Sequence, residues 1–145
     1  MKPLPAVLVL VCAMVAGDRH TTEQSQPAPD GSPVRLLPGY QHAPSAGVDA
    51  VGGRIWRDGG PEIYYNIGFS VGELARGYSK QNPTVPLTVL ESPATGEMVV
   101  ALDDAHDAMV VSVDHHANFD ARHVRSRRDV VDVLLMANTV PRLPK

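Results

Sequence analysis

The sequence predicts a mainly β domain: a small antiparallel β-sandwich or barrel-like fold with at most one or two short helical turns. Three observations lead there. Apolar residues come in short alternating runs separated by Gly, Pro, Asn and Asp clusters, the pattern of hairpin-linked strands. The chain carries 13 Pro and 12 Gly in 145 residues, too much punctuation for long helices. A formal charge of −3, with 43% apolar and 20% charged residues, suits one globular domain and supplies no basic field for nucleic acid.

Residues 1–17 read as a signal peptide. Lys2 gives a positive start, Leu4 to Val15 is apolar, and the small residues Ala13, Ala16 and Gly17 precede polar Asp18. The run is too short to cross a hydrocarbon layer of about 30 Å, so cleavage and a secreted or periplasmic location are expected. The single cysteine, Cys12, lies inside this run. A mature chain without it has no disulfide and no thiol chemistry. Lipidation at Cys12 would instead make a lipoprotein, although bulky Val11 stands where a small residue is expected. Residues 18–33, DRHTTEQSQPAPDGSP, are too polar to offset their ordering entropy and read as a flexible linker. The β-rich globular domain is expected over 34–145, from Val34-Arg35-Leu36-Leu37.

Within it, residues 53–67 read as a hairpin. Arg54-Ile55-Trp56 and Glu62 to Ile67 flank Asp58-Gly59-Gly60, whose glycines accept positive φ. One helical turn is expected near Val71–Arg76. Three strands follow: Val85–Glu91, Glu97–Leu102 and Met109–Val113. They are joined by Ser92-Pro93-Ala94-Thr95-Gly96 and by Asp103 to Asp107. Ser126 and Asp129 have capping-box spacing. The valines that follow favour a strand, so one helical turn at 127–131 and a strand from Val133 to Val140 are expected.

The segment Val110 to His123, VVSVDHHANFDARH, is the strongest sign of chemistry. His and carboxylates are the usual ligands of catalytic divalent metals. His106 and His115 would sit roughly 30 Å apart at opposite ends of a strand and cannot share an ion. Asp114, His116 and His123, with Asp120 nearby, remain as the candidate metal set; without a metal these are polar residues at a strand-to-loop junction. Arg122, Arg125, Arg127 and Arg128 beside His123 form a basic run that could meet an anionic envelope surface. Trp56, Tyr64 and Tyr65 read as core residues or, exposed, as a binding patch. Asp49 reads as a turn carboxylate. No G-x-S-x-G elbow surrounds any serine, and no cofactor motif is present.

Two resemblances bear on these readings. VVSVDHHAN is similar to the Asp-His-His signature of the DHH phosphoesterases, which implies metal-binding roles for Asp114, His115 and His116. The match covers that segment alone, the family's earlier Asp-rich motif has no counterpart, and the chain after it is too short, so it is read as coincidence. A longer stretch, LLPGYQHAPSAGVDAVGGRIWRDGGPEIYYNIG, resembles small uncharacterised exported bacterial proteins with a G-x-D-x-x-x-G-x-I segment followed by a Y-D-I-G segment. The matching residues are Gly47, Asp49, Gly53, Ile55, Tyr65, Ile67 and Gly68; Asn66 replaces the pattern's Asp, and Asn118-Phe119 and Asp129 to Thr139 fit loosely. This resemblance implies export and a β-rich fold, and no reaction. The expected function is a non-catalytic binding or envelope-associated module. The alternatives are a metal-dependent hydrolase centred on Asp114, His116 and His123, and a lipoprotein anchored through Cys12.

Overall fold

The computed structural model describes residues 32–46, 50–68 and 71–141. The expected signal with Cys12, all of the expected linker but Ser32 and Pro33, and Asp49 lie outside these residues. The domain is mainly β and antiparallel, as expected. Its strands are β1 (Gln41–Ser45), β2 (Val51–Trp56), β3 (Glu62–Ile67), β4 (Leu87–Ser92), β5 (Gly96–Asp103), β6 (Ala108–Val113) and β7 (Ala117–Arg122). They form one seven-stranded sheet in the order β1-β2-β3-β7-β6-β5-β4. Helix α1 (Leu74–Gln81) follows β3, and α2 (Arg127–Ala137) follows β7.

The period of two along each strand sorts side chains onto two faces. One face carries Ile55, Ile63, Tyr65, Met98, Val100, Leu102, Met109, Val111 and Phe119, which form the main core with Val133, Leu134 and Met136 of α2. Val34 is fully buried in the same core, with Leu36 and Leu37 packed against it. The other face buries a smaller cluster, Val99, Ala101 and Val110, under Ala75 of α1 and Val85. A helix therefore packs on each side of the sheet.

The hairpin at 53–67 forms in the register that sets Ile55 against Ile63 and Arg54 against Tyr64. Gly59 has φ +69 in its turn. Gly53 is required for another reason: a Cβ there would stand 2.6 Å from the Tyr65 hydroxyl and 2.7 Å from its ring. That close approach lets the Tyr65 ring reach His42 of β1, whose Nε2 lies 2.7 Å from the hydroxyl.

Four elements differ from the sequence reading. The strand expected at 133–140 is instead the continuation of α2 through Ala137. Ser126 and Asp129 close a complete capping box, and Val130, Val133, Leu134 and Ala137 recur at helical spacing on the buried side. Packing plus the cap outweighs the modest helix penalty of valine. The single turn expected near 71–76 is the eight-residue α1, starting later. β7 lies where a loop was expected, and β1 was not foreseen. β7 is half polar because only one of its faces meets the main core, and β1 is a polar edge strand that contains Pro44.

Candidate functional site

The Asp-His-His triplet is a hairpin turn. Asp114 and His115 have φ +44 and +60, and the amide of His116 donates to Val113 O at 3.0 Å. Asp and His are among the residues that enter this region most readily. Asp114 and His115 are exposed, whereas His116 is 4% exposed. The His116 ring nitrogens face Asp114 O at 3.1 Å and Pro141 O at 3.0 Å. His123 is exposed beyond the far end of β7. The six residues of β7 lie between it and His116, a span of roughly 20 Å. Asp120 is gripped by Arg122 through two bonds of 2.9 Å. Asp114, His116 and His123 are thus not brought together around one point. His106, at the other end of β6, has its Nδ1 2.8 Å from the buried Asp103 carboxylate, which also accepts from the Tyr78 hydroxyl.

The polar residues between these histidines build a helix anchor. Glu73 precedes α1 but gives no side-chain cap. The sheet supplies the acceptors instead: Leu74 N–H donates to Asn118 Oδ1 at 3.1 Å and Ala75 N–H to Ser112 Oγ at 2.9 Å. The Ser112 hydroxyl donates to Asn118 Oδ1 at 2.6 Å, and Asn118 Nδ2 donates to Val71 O and Gly72 O, both at 3.0 Å. Asn118, 5% exposed, uses its full donor and acceptor capacity.

One group of potential metal ligands does converge. Glu73, Glu97 and His115 each bring a ligand-capable atom within 4.8 Å of the others. Arg76 already sits there, with Nε 3.0 Å from Glu73 and Nη2 3.1 Å from Glu97. The bonds to Glu73 and then Glu97 raise the Arg76 pKa. A fixed guanidinium between the carboxylates supplies the positive charge an ion would bring. The geometry is that of an ion-pair cluster tying α1 to β5 and to the β6–β7 turn.

Among the described residues, an exposed stretch of the sheet lies across β2, β3 and β7 on the side of α1. Helix α1 packs mainly on β5 and β6 and only marginally on β4, and leaves this stretch open. It carries Arg54 and Trp56 from β2, Glu62 and Tyr64 from β3, and Asp120 and Arg122 from β7, in facing register. Tyr64 is 49% exposed. The Arg54 guanidinium lies 4.7 Å from the Trp56 ring centroid and pairs with Glu62. Glu62 also accepts from the Tyr64 hydroxyl at 2.6 Å, and that bond, ahead of Arg54, holds its carboxyl below the usual range. Charges of both signs are thus paired within the patch.

The basic run does not form one surface. Arg122 projects from the open stretch, whereas Arg127 and Arg128 belong to α2 on the opposite side. Arg122 pairs with Asp120, Arg125 with Asp107, and Arg128 approaches Asp132 to 4.0 Å. The aromatic trio divides as a strand's alternation demands: Tyr65 is core, while Trp56 and Tyr64 face the open side. Glu62-Ile63-Tyr64-Tyr65-Asn66-Ile67 carried that signal, since Ile63, Tyr65 and Ile67 mark the core face. Arg54 and Glu62 were not foreseen as members of the patch because a single charged residue in a strand resembles any solvated position. Comparison with protein-family models, curated proteins and solved structures found no match.

Proposed function

We propose that this is an exported, non-catalytic binding module that meets a protein partner through the open stretch of its sheet. One observation carries the reading: Trp56, Tyr64, Arg54 and Arg122 stand together on a β surface that no other described residues cover. Trp, Tyr and Arg are the residues that most often dominate binding energy at protein interfaces. The patch is pre-organised, because its cations are held by Glu62 and Asp120, so little side-chain entropy remains to be lost on contact. Its paired charges suit a partner surface of mixed sign better than an anionic layer. Export rests on the character of residues 1–17. No helix among the described residues is long and apolar enough to cross a membrane.

The test is a photoreactive phenylalanine analogue at position 64, with a control at position 128, in full-length chain expressed with its signal. The expected result is a cleaved chain outside the cytoplasm and a discrete protein adduct from position 64 alone. Retention in the cytoplasm uncleaved would overturn export. Absence of any adduct at position 64, or equal adducts at both sites, would overturn the surface.

A further inference from the structure

The sheet has two edges, and they are built differently. β1 is polar, carries Pro44 as its fourth residue and exposes Gln41, Pro44 and Ser45; proline on an edge blocks the addition of another strand. β4 lacks the proline. Its six residues, Leu87-Thr88-Val89-Leu90-Glu91-Ser92, pair with β5 on one side and, among the described residues, end the sheet on the other. No Pro or Gly interrupts it. Leu87 and Val89, 38% and 47% exposed, point to the face that carries α1, since they oppose Ala101 and Val99 of the smaller core. A regular edge that no described strand covers, with exposed branched side chains from Leu87 to Glu91, is a template for a further strand.

The geometry points to a second copy of this chain as the occupant, paired β4 to β4 about a two-fold axis perpendicular to the sheet. An antiparallel pair related by such an axis keeps each residue on its own face. With the axis through Val89, Val89 meets Val89, Thr88 meets Leu90 and Leu87 meets Glu91. Charge selects this occupant. Glu91, next to last in β4, lies on the α1 face and has no ion pair among the described residues. Lys80 lies in the last turn of α1 and likewise has none. That turn is held beside the start of β4 by Ser79, whose hydroxyl donates to Val85 O at 3.0 Å. An antiparallel two-fold brings the end of one β4 to the start of the other, and so sets Glu91 of each copy near Lys80 of its partner, twice. The dimer sheet would hold fourteen strands and end in a proline-bearing β1 on both sides, closing the assembly at two copies.

The experiment is sedimentation velocity on the full chain over a concentration series. A reversible dimer is expected. Val89→Lys sets two ammonium groups against each other on the axis and should abolish it, with the thermal midpoint of the monomer kept because Val89 is half exposed. Lys80→Glu and Glu91→Lys should each weaken association about 3- to 30-fold, acting at two symmetric surface pairs. The double variant should return to within about threefold of the parent. A monomer at every concentration overturns the inference. A dimer that survives Val89→Lys, or single charge reversals that the double variant fails to rescue, overturns the β4 placement.

Discussion

Asn118→Ala is the substitution that most directly probes the anchor of α1. The side chain makes four hydrogen bonds between 2.6 and 3.1 Å, to Val71 O, Gly72 O, Leu74 N–H and the Ser112 hydroxyl. Each contributes about 0.5–1.5 kcal/mol net, and groups left buried and unpaired cost more than the bond itself. The four bonds share one side chain and are not additive, so a loss of about 2–4 kcal/mol is expected, equivalent to a midpoint fall of roughly 10 °C. Asn118→Asp separates the two functions of the amide. It keeps acceptors for Leu74 and Ser112 but aims a carboxylate at two carbonyl oxygens, so at neutral pH it should be no better than Ala. Urea unfolding followed by circular dichroism gives the magnitude. Amide hydrogen exchange at Leu74 and Ala75 gives the location, because the helix start should open before the main core. A loss below about 0.5 kcal/mol, or unchanged exchange at those two amides, would refute the tertiary cap.

Four further outcomes are expected. Tyr40→Phe removes the 2.8 Å bond to Asp132 and should cost about 2 kcal/mol, the value of a hydrogen bond to a charged acceptor; urea denaturation measures it. Gly53→Ala drives a methyl group against the Tyr65 ring and should cost about 1–3 kcal/mol, whereas Gly77→Ala, with open space at that position of α1, should add about 0.5–1 kcal/mol; the two midpoints should move in opposite directions. Burial pushes the Asp103 carboxyl up, but the Tyr78 hydroxyl and then His106 outweigh it and hold the group below its ordinary 3.8. Its folded value lies under the unfolded one, so its stabilising contribution is present above pH 3.8 and is lost as pH falls through the lower value; Tyr78→Phe should reduce that acid sensitivity in urea midpoints measured across the acid range. Zinc should leave the thermal midpoint unchanged because Arg76 lies between Glu73 and Glu97; a rise that disappears in His115→Ala would show that the cluster holds an ion after all.

The hairpin and the β4–β6 meander were legible because their signals are local. Asp58-Gly59-Gly60 and Ser92 to Gly96 announce turns by residue type, and the valine-rich runs between them alternate or stay apolar. The elements that were missed depend on distant partners. β7 reads as polar because Asn118, Asp120 and Arg122 occupy one face, and only the register against β3 and β6 shows that Ala117, Phe119 and Ala121 fill the core. α2 turns on whether Val133 to Ala137 packs as a helix face. The Ser126 cap announced its start, but only the sheet beneath could decide its length.

The Asp-His-His segment shows why a dense polar stretch is a poor guide to chemistry. Composition placed its ligand types together, but the strand that follows them carries His123 away from His116, and the turn sends Asp114 and His115 to solvent while His116 turns inward. Asn118 and Ser112, the members of the segment with the most complete bonding, hold a helix that is far away in sequence. The surface with binding character arises instead from residues on three separate strands, none unusual in its own stretch: Arg54 and Trp56, Glu62 and Tyr64, Asp120 and Arg122. A site of this kind exists only once β3 has paired with both β2 and β7, so its legibility depends on topology rather than on motif.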